Sequence, residues 1–470
     1  MAKLPAYIID SFRSISDYDN KGIAGAFKHG AGLDVRKRAD TLSCGQALRR
    51  EGQSVIVDLI LFQVPAIDGN TYLFGDTGKI YKRTAFNTIS VVYTDPDGRI
   101  TGAEQWWQSN GNVYLFWQTA TKVKNKRIPG VSNWSDVNAT IGSQTYPKTN
   151  LVSKTWHTSA IAAGALLICN DDKLALVSYD QSYTPNAYQL IPGTSAKALV
   201  DVNGQAVVAA SSTDEQQKAK IYLFDVTAQN YITTKTIPAK DLNAIAIGEV
   251  ILMQADDNGN IFFSDFVNFL PVTSFPAGGK VNPDGVEVLN GVTYFGVFGA
   301  TDTSKNGIWS YGRKKKNQPF AFNLDYPIVC DEIGSIQALA GQLMVSYKVG
   351  SSYYYYSTDP SNKQVGIYEC LDLYAPEKST PHEKSTWKRI KIKCKPLPAG
   401  TSVEAKYKLD KSGDWIVAKL EGDIATLNVE GARKANFTIG SNADIAEVQL
   451  TLTPSANLTP EITKILVEVI

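Results

Sequence analysis

Three histidines, five cysteines and 46 acidic side chains are the obvious chemical groups of this 470-residue chain. His29, His157 and His382 are too widely separated to form HxH, HExxH or a local triad, so metal-assisted hydrolysis and Ser-His chemistry lack a framework. No GxSxG or P-loop occurs, and the glycines from Gly22 to Gly32 lack the strand-to-helix setting of a dinucleotide site. His157, beside Trp156 in KTWHTSA, reads as a satisfied, partly buried ring. Cys44, Cys169, Cys330, Cys370 and Cys394 make no CxxC pair, and their odd number suits reduced, buried thiols better than zinc ligands or a disulfide framework.

Carboxylates need a partner at defined distance for glycan cleavage, about 5 to 9.5 Å. No spacing in the chain pairs them, and Asp410-Lys-Ser-Gly413-Asp-Trp415 departs from the Asp, Gly and Trp spacing of sialidase-like repeats. Asp76, Asp171, Asp172, Asp256 and Asp257 sit in turn-forming stretches, where Asp accepts local backbone hydrogen bonds. As calcium ligands, Asp256, Asp257 and Asn258 lack the twelve-residue loop ending in Glu. The expectation is therefore a protein that is not an enzyme, with no catalytic residue, cofactor or metal.

Aromatic side chains offer the other kind of site, a stacking surface for glycans or partners. Trp106 and Trp107 in GAEQWWQS, Trp117, Trp134 and the run Tyr353-Tyr354-Tyr355-Tyr356 are the candidates, Trp106, Trp107, Trp134 and Tyr354 foremost. Strand alternation sends two of the four tyrosines to each face, and Trp106 and Trp107 to opposite faces, so half belong to packing. Charge is balanced, 47 basic against 46 acidic residues, which argues against nucleic-acid binding by bulk electrostatics. Arg313-Lys314-Lys315-Lys316 follows a predicted strand and reads as a solvated loop.

The elements that must position these residues announce themselves by a repeat. Gly69, Gly111, Gly164, Gly204, Gly248, Gly291 and Gly341 each precede an apolar strand, at separations of 42, 53, 40, 44, 43 and 50 residues. Most are followed by a second hairpin, as in TYLFGDTGKIYKR, ILMQADDNGNIFFSD and LMVSYKVGSSYYYYS; VYLFWQTATKVKNK is the least clear. Units of about 40 to 50 residues built of short strands are the pattern of four-stranded propeller blades. The predicted fold is all-β: a seven-bladed β-propeller over residues 51–375, followed by a C-terminal antiparallel β-sandwich. The marker glycines are expected where the chain turns tightly from one blade into the next and a side chain would crowd the neighbour.

The sandwich is predicted over residues 386–470, where KRIKIKC, SVEAKYKL, DWIVAKL, ATLNVE, ANFTI, EVQLTLT and ILVEV alternate apolar and polar residues. A Pro-, Ser- and charge-rich stretch from Ala375 to Ser385 is the predicted linker. Residues 1–50 carry glycines and charges with few aromatics, and read as an N-terminal arm that either closes the propeller ring or packs on a neighbouring subunit. No apolar run is long enough for a signal peptide or a membrane span, so a soluble protein without membrane insertion is expected.

The order of several stretches resembles tailed-bacteriophage virion proteins of the β-propeller tail and head-to-tail type. These stretches are GAFKHGAGLDVRKRADTLSCGQAL, DGNTYLFGDTGKIYKR, IPGVSNWSDVN, YPKTNL, WHTSAIAAGALLICN, NPDGVEVLNGVTYFGV, NGIWSYGRKKK, DEIGSI and LTPEITKILVEV. The resemblance covers nearly the whole chain, and it marks fold, with no catalytic residue to carry over. It implies a structural component of the virion tail or neck, assembled in multiple copies in the bacterial cytoplasm, with other tail or neck proteins and copies of itself as partners. A tail-tip protein that binds or cleaves host surface glycans is the alternative, and a host cytoplasmic interaction hub a third reading.

Overall fold

Strand-forming segments separated by short turns dominate the chain, and the described residues are all-β apart from short 3-10 turns such as Thr303–Lys305. The computed structural model describes residues 6–15, 25–36, 38, 40–128, 134, 137–214, 218–228, 230–248, 251–255, 260–264, 269–316, 318, 320–375 and 384–470. His382, the Asp256 to Gly259 turn and most of the predicted linker lie outside these residues. The fold divides into two compact units, residues 50–307 with 328–357, and residues 1–49 with 308–327 and 358–470. These boundaries differ from the three consecutive segments expected from composition.

The larger unit is a succession of antiparallel meanders. Ile60–Pro65, Thr71–Gly75, Lys79–Ala85 and Thr88–Thr94 form the first sheet in sequence order. Gly102–Trp107, Val113–Gln118 and Val123–Ile128 form a three-stranded second sheet. Four-stranded sheets follow that begin at Ser159–Ala162, Thr194–Val202 and Leu242–Ile247. Val286–Leu289 then pairs with Val292–Val297, and Glu332–Leu339 with Gln342–Val349. The first strand of each sheet packs against the first strand of the next, and Glu332–Leu339 returns to Ile60–Pro65, so the circuit closes.

Close approach of these inner strands depends on glycines outside the periodic set. A Cβ at Gly334 would sit 2.1 Å from the Ile60 carbonyl oxygen, and one at Gly102 would sit 1.9 Å from the His157 carbonyl oxygen. Side-chain hydrogen bonds reinforce such crossings: Ser335 Oγ donates to the Ile60 carbonyl at 3.0 Å, and at the next crossing Thr158 Oγ1 donates to the Lys197 carbonyl at 2.8 Å. The second strands, Thr71–Gly75, Val113–Gln118 and Ala165–Asn170, are buried at every position because a neighbouring sheet covers each face. Outermost strands such as Asn230–Thr236 are largely exposed, which is why their sequence carries little apolar signal.

The periodic glycines turn out to do something other than expected. Each lies in the hairpin between the first and second strands of one sheet, not at the crossing between sheets. Gly291 has φ of +77° and follows Asn290 at +53°, the two left-handed residues of a type I′ turn. A Cβ would meet nothing within 4 Å at Gly69, Gly111, Gly204 or Gly341, so crowding is not the reason for glycine there. Gly248 is the exception, with no left-handed φ and only ordinary contact to Val288.

The smaller unit contains all seven C-terminal strands read from the alternation, from Ser385–Cys394 to Ile462–Val469. Ala6–Ile9, Ile462–Val469, Ser385–Cys394 and Lys434–Ala443 make one sheet. Ile445–Thr453 pairs with both Gly366–Glu369 and Ser402–Leu409 in the other. Trp387, Ile390, Phe437 and Val467 from the first sheet and Val403, Tyr407, Leu450 and Leu452 from the second share one buried core. The described part of residues 1–50 is no free arm: Phe12, Phe27, Leu33, Leu42 and Cys44 are buried in this core. Tyr7 pairs with Val467 in strand register, and Arg36, 7% exposed, donates to the carbonyls of Ser310 and Ala321 and pairs with Asp325 at 3.2 Å.

Candidate functional site

The inner strands of the larger unit surround a cavity of about 180 Å³. Gln63, Glu104, Thr158, Ser159, Asp284 and Gln337 supply its polar wall, between apolar residues that include Phe62, Val64, Leu199 and Val286. Gln63 comes from Ile60–Pro65 and Glu104 from Gly102–Trp107, whereas Thr158 and Asp284 stand just before Ser159–Ala162 and Val286–Leu289.

Most of the polar wall is internally satisfied. Gln63 Nε2 donates to Ser335 Oγ at 3.1 Å, and its Oε1 accepts from Tyr355 Oη at 2.8 Å. Glu287, close behind the wall, accepts from the Val288 N–H at 2.7 Å, from Gln337 Nε2 at 2.8 Å and from the Ala338 N–H at 3.1 Å. The two carboxyls that line the cavity are poorer in partners. Glu104 Oε1 accepts from the adjacent Gln105 N–H at 2.8 Å. Asp284 accepts the Gln63 N–H, while its buried Oδ2 has no hydrogen-bond partner among the described residues.

Electrostatics follow from that geometry. Removal from bulk water pushes the Glu104 carboxyl up to about 7, with the Gln105 N–H opposing. Asp284 is raised well above the ordinary carboxylate range, first by burial and then by the negative charges of Glu287 and Glu104. Burial also raises Glu287 against the hydrogen bonds it accepts. The result is a pocket whose carboxyls hold protons more tightly than ordinary carboxyls and would release one to solvent when a positive charge arrives.

The residues singled out from sequence lie elsewhere. Trp106 is fully buried, its indole N–H donating to the Gly164 carbonyl at 3.0 Å. Trp107 points the other way and is 47% exposed. Trp134 stacks on Tyr93 at 5.9 Å and packs beside Tyr72 and Trp117. Tyr354 is half-buried, stacks on Tyr347 at 5.0 Å and lies under the Arg50 guanidinium at 4.7 Å. These four form no common platform, since Trp106, Trp134 and Tyr354 each belong to a separate aromatic group.

His157 is buried, with Nδ1 2.8 Å from the Cys169 carbonyl and Nε2 3.1 Å from the Ala120 carbonyl, and burial lowers its pKa. All five cysteines are free and buried, and burial pushes the Cys169, Cys330 and Cys370 thiols up to about 12. Asp76 pairs with Arg99 and Asp171 with Lys154, in keeping with structural duties for the turn acids. No group of three or more His, Cys, Asp or Glu among the described residues is placed to hold a metal ion. No described helix is long and apolar enough to cross a membrane.

Glu104 and Asp284 escaped the sequence reading, and their position relative to the periodic glycines does not single them out. Each stands seven residues before a periodic glycine, Gly111 and Gly291. Asp241 holds the same phase before Gly248 and is not part of the cavity wall, so the phase does not mark the site.

No family model matches the chain, and no curated protein matches it. Solved structures give partial overlaps. A streptogramin B lyase structure is 13% identical with a TM-score of 0.48, over 67% of this chain and 98% of the other. The WD40 β-propeller domain of Doa1 is 12% identical with a TM-score of 0.44, over 67% and 97%. The Cps50 (Swd1) β-propeller domain of Myceliophteria thermophila is 11% identical with a TM-score of 0.44, over 67% and 99%. Overlap at this level says nothing about the chemistry of this chain.

Proposed function

We propose that this protein is a structural component of a tailed-phage virion, a scaffold of the tail or head-to-tail region present in multiple copies. Its larger unit is read as a seven-bladed β-propeller and its smaller one as a β-sandwich. The observation that carries the scaffold reading is the employment of the reactive side chains. His157, the cysteines, Trp106 and Trp134 are all consumed by packing. A closed circuit of sheets resists deformation, while its connecting loops can vary to fit neighbours, which suits a part that holds other subunits at fixed angles. The phage assignment itself rests on the resemblance of the ordered sequence stretches.

Gold-labelled antibody against the protein, imaged on purified phage particles by electron microscopy, tests this reading. Label at the neck or along the tail is expected, and particles without label would sink it. Label confined to the distal tip would favour host-glycan recognition instead. That second reading draws on one feature, the ladder of Tyr347, Tyr354 and Tyr356 beside Arg50, partly exposed on the last sheet.

A further inference from the structure

We propose that the cavity between the inner strands binds an organic cation, an alkylammonium or guanidinium head group, through the carboxylates of Glu104 and Asp284. Burying a carboxyl without a partner is unfavourable, and interiors normally satisfy such groups. Here Asp284 Oδ2 is buried without a hydrogen-bond partner among the described residues, and the residue lines, together with Glu104, an open space. Neighbouring polar groups do not relieve it, since Gln63 is engaged with Ser335 and Tyr355, and Gln337 with Glu287. A positive charge in the cavity would lie beside both carboxyls and offset the cost of ionising them.

The shape of the site selects the kind of cation. A hard divalent metal takes six or more oxygens at short, fixed distance. This wall interleaves its few oxygens with Phe62, Val64, Leu199, Val200, Ile245 and Val286, which cannot ligate a metal. The same apolar residues suit the carbon stem behind an ammonium or guanidinium group, which needs one charged end and one dry flank. A volume of about 180 Å³ leaves room for a head group of several non-hydrogen atoms. The head group has two possible sources, a free amine or a Lys or Arg side chain presented by another protein.

Binding is linked to protons. In the empty cavity Glu104 and Asp284, with Glu287 behind them, hold protons at pH values where an ordinary carboxyl is ionised. An entering cation favours the ionised form, so a proton leaves for the solvent and affinity rises as pH is raised through neutrality.

The test uses the full chain, with butylammonium and Nα-acetylargininamide as probes and calcium chloride as control, followed by thermal unfolding and titration calorimetry. Butylammonium at millimolar concentration is expected to raise the Tm by mass action. That shift should disappear in the Glu104→Gln, Asp284→Asn double variant, whose near-isosteric amides relieve the burial of charge and leave the fold in place. Calorimetry in two buffers of different ionisation enthalpy should show proton release from the wild type, a readout independent of any variant. A response to Nα-acetylargininamide as well points to a presented side chain, and a response to butylammonium alone to free amines. Absence of any response to both cations, an equal shift in the double variant, or stabilisation by calcium alone would overturn the proposal. None of these outcomes depends on where the protein sits in a particle.

Discussion

At the scale of single residues, the unusual groups are the carboxyls of the cavity wall, not the histidines or tryptophans. Glu104 illustrates how position overrides residue type. The same side chain on an outer strand would ionise in the ordinary range, whereas here burial lifts it to about 7. Stability should respond accordingly. Between the ordinary carboxylate range and about pH 7 the folded protein holds a proton on Glu104 that the unfolded chain has lost. The native state binds more protons in that window, so stability falls as pH rises through it. Glu104→Gln removes the linkage, and a series of thermal melts from pH 5 to 8, roughly that window, should show a flatter decline for the variant than for the wild type.

At the scale of elements, two classes of glycine carry different physics. Gly341 has φ of +77° with nothing near its absent Cβ, so Gly341→Ala costs only the left-handed backbone penalty, about 1 to 2 kcal/mol. Gly334 lies in the inner strand itself, where an added Cβ would press to 2.1 Å from the Ile60 carbonyl oxygen. Backbone must move to admit it, and the two inner strands held together by Ser335 must part. Gly334→Ala is expected to cost about 3 kcal/mol or more, at the upper end of overpacking penalties, and to lower the Tm further than Gly341→Ala. Equal melts would show that the inner strands adjust freely. The hairpin glycines were legible because a two-residue turn needs them at a constant distance from an apolar run. Gly334 and Gly102 were not, since only the approach of a distant strand makes a side chain intolerable there.

At the scale of the whole molecule, the order of folding units is not the order of the chain. Residues 1–49, 308–327 and 358–470 share one unit, with Phe12, Phe27 and Leu42 in the same core as Trp387 and Leu450. The N-terminal segment therefore supplies apolar surface and an edge strand to the C-terminal sheets. A chain beginning at Arg50 is expected to lose cooperative unfolding of the smaller unit, seen as early proteolysis after residue 358. Persistent protection of the C-terminal strands in that shortened chain would show that the N-terminal segment is dispensable. Composition hid this role, because Leu33, Val35, Leu42 and Cys44 are scattered among glycines and charges and show no run or period.

The sequence by itself determined the local grammar of this protein: the all-β class, the repeat of hairpins, the alternating C-terminal strands and the packing duty of His157. Each of these follows from interactions between near neighbours, namely side-chain alternation, turn geometry and the burial of a strand covered on both faces. Only the tertiary structure decided that Glu104 and Asp284 share one cavity, that Gly102 and Gly334 face foreign backbone, and that the N-terminal segment completes the smaller unit. Those depend on contacts between residues far apart in the chain, which no local pattern of residue types encodes.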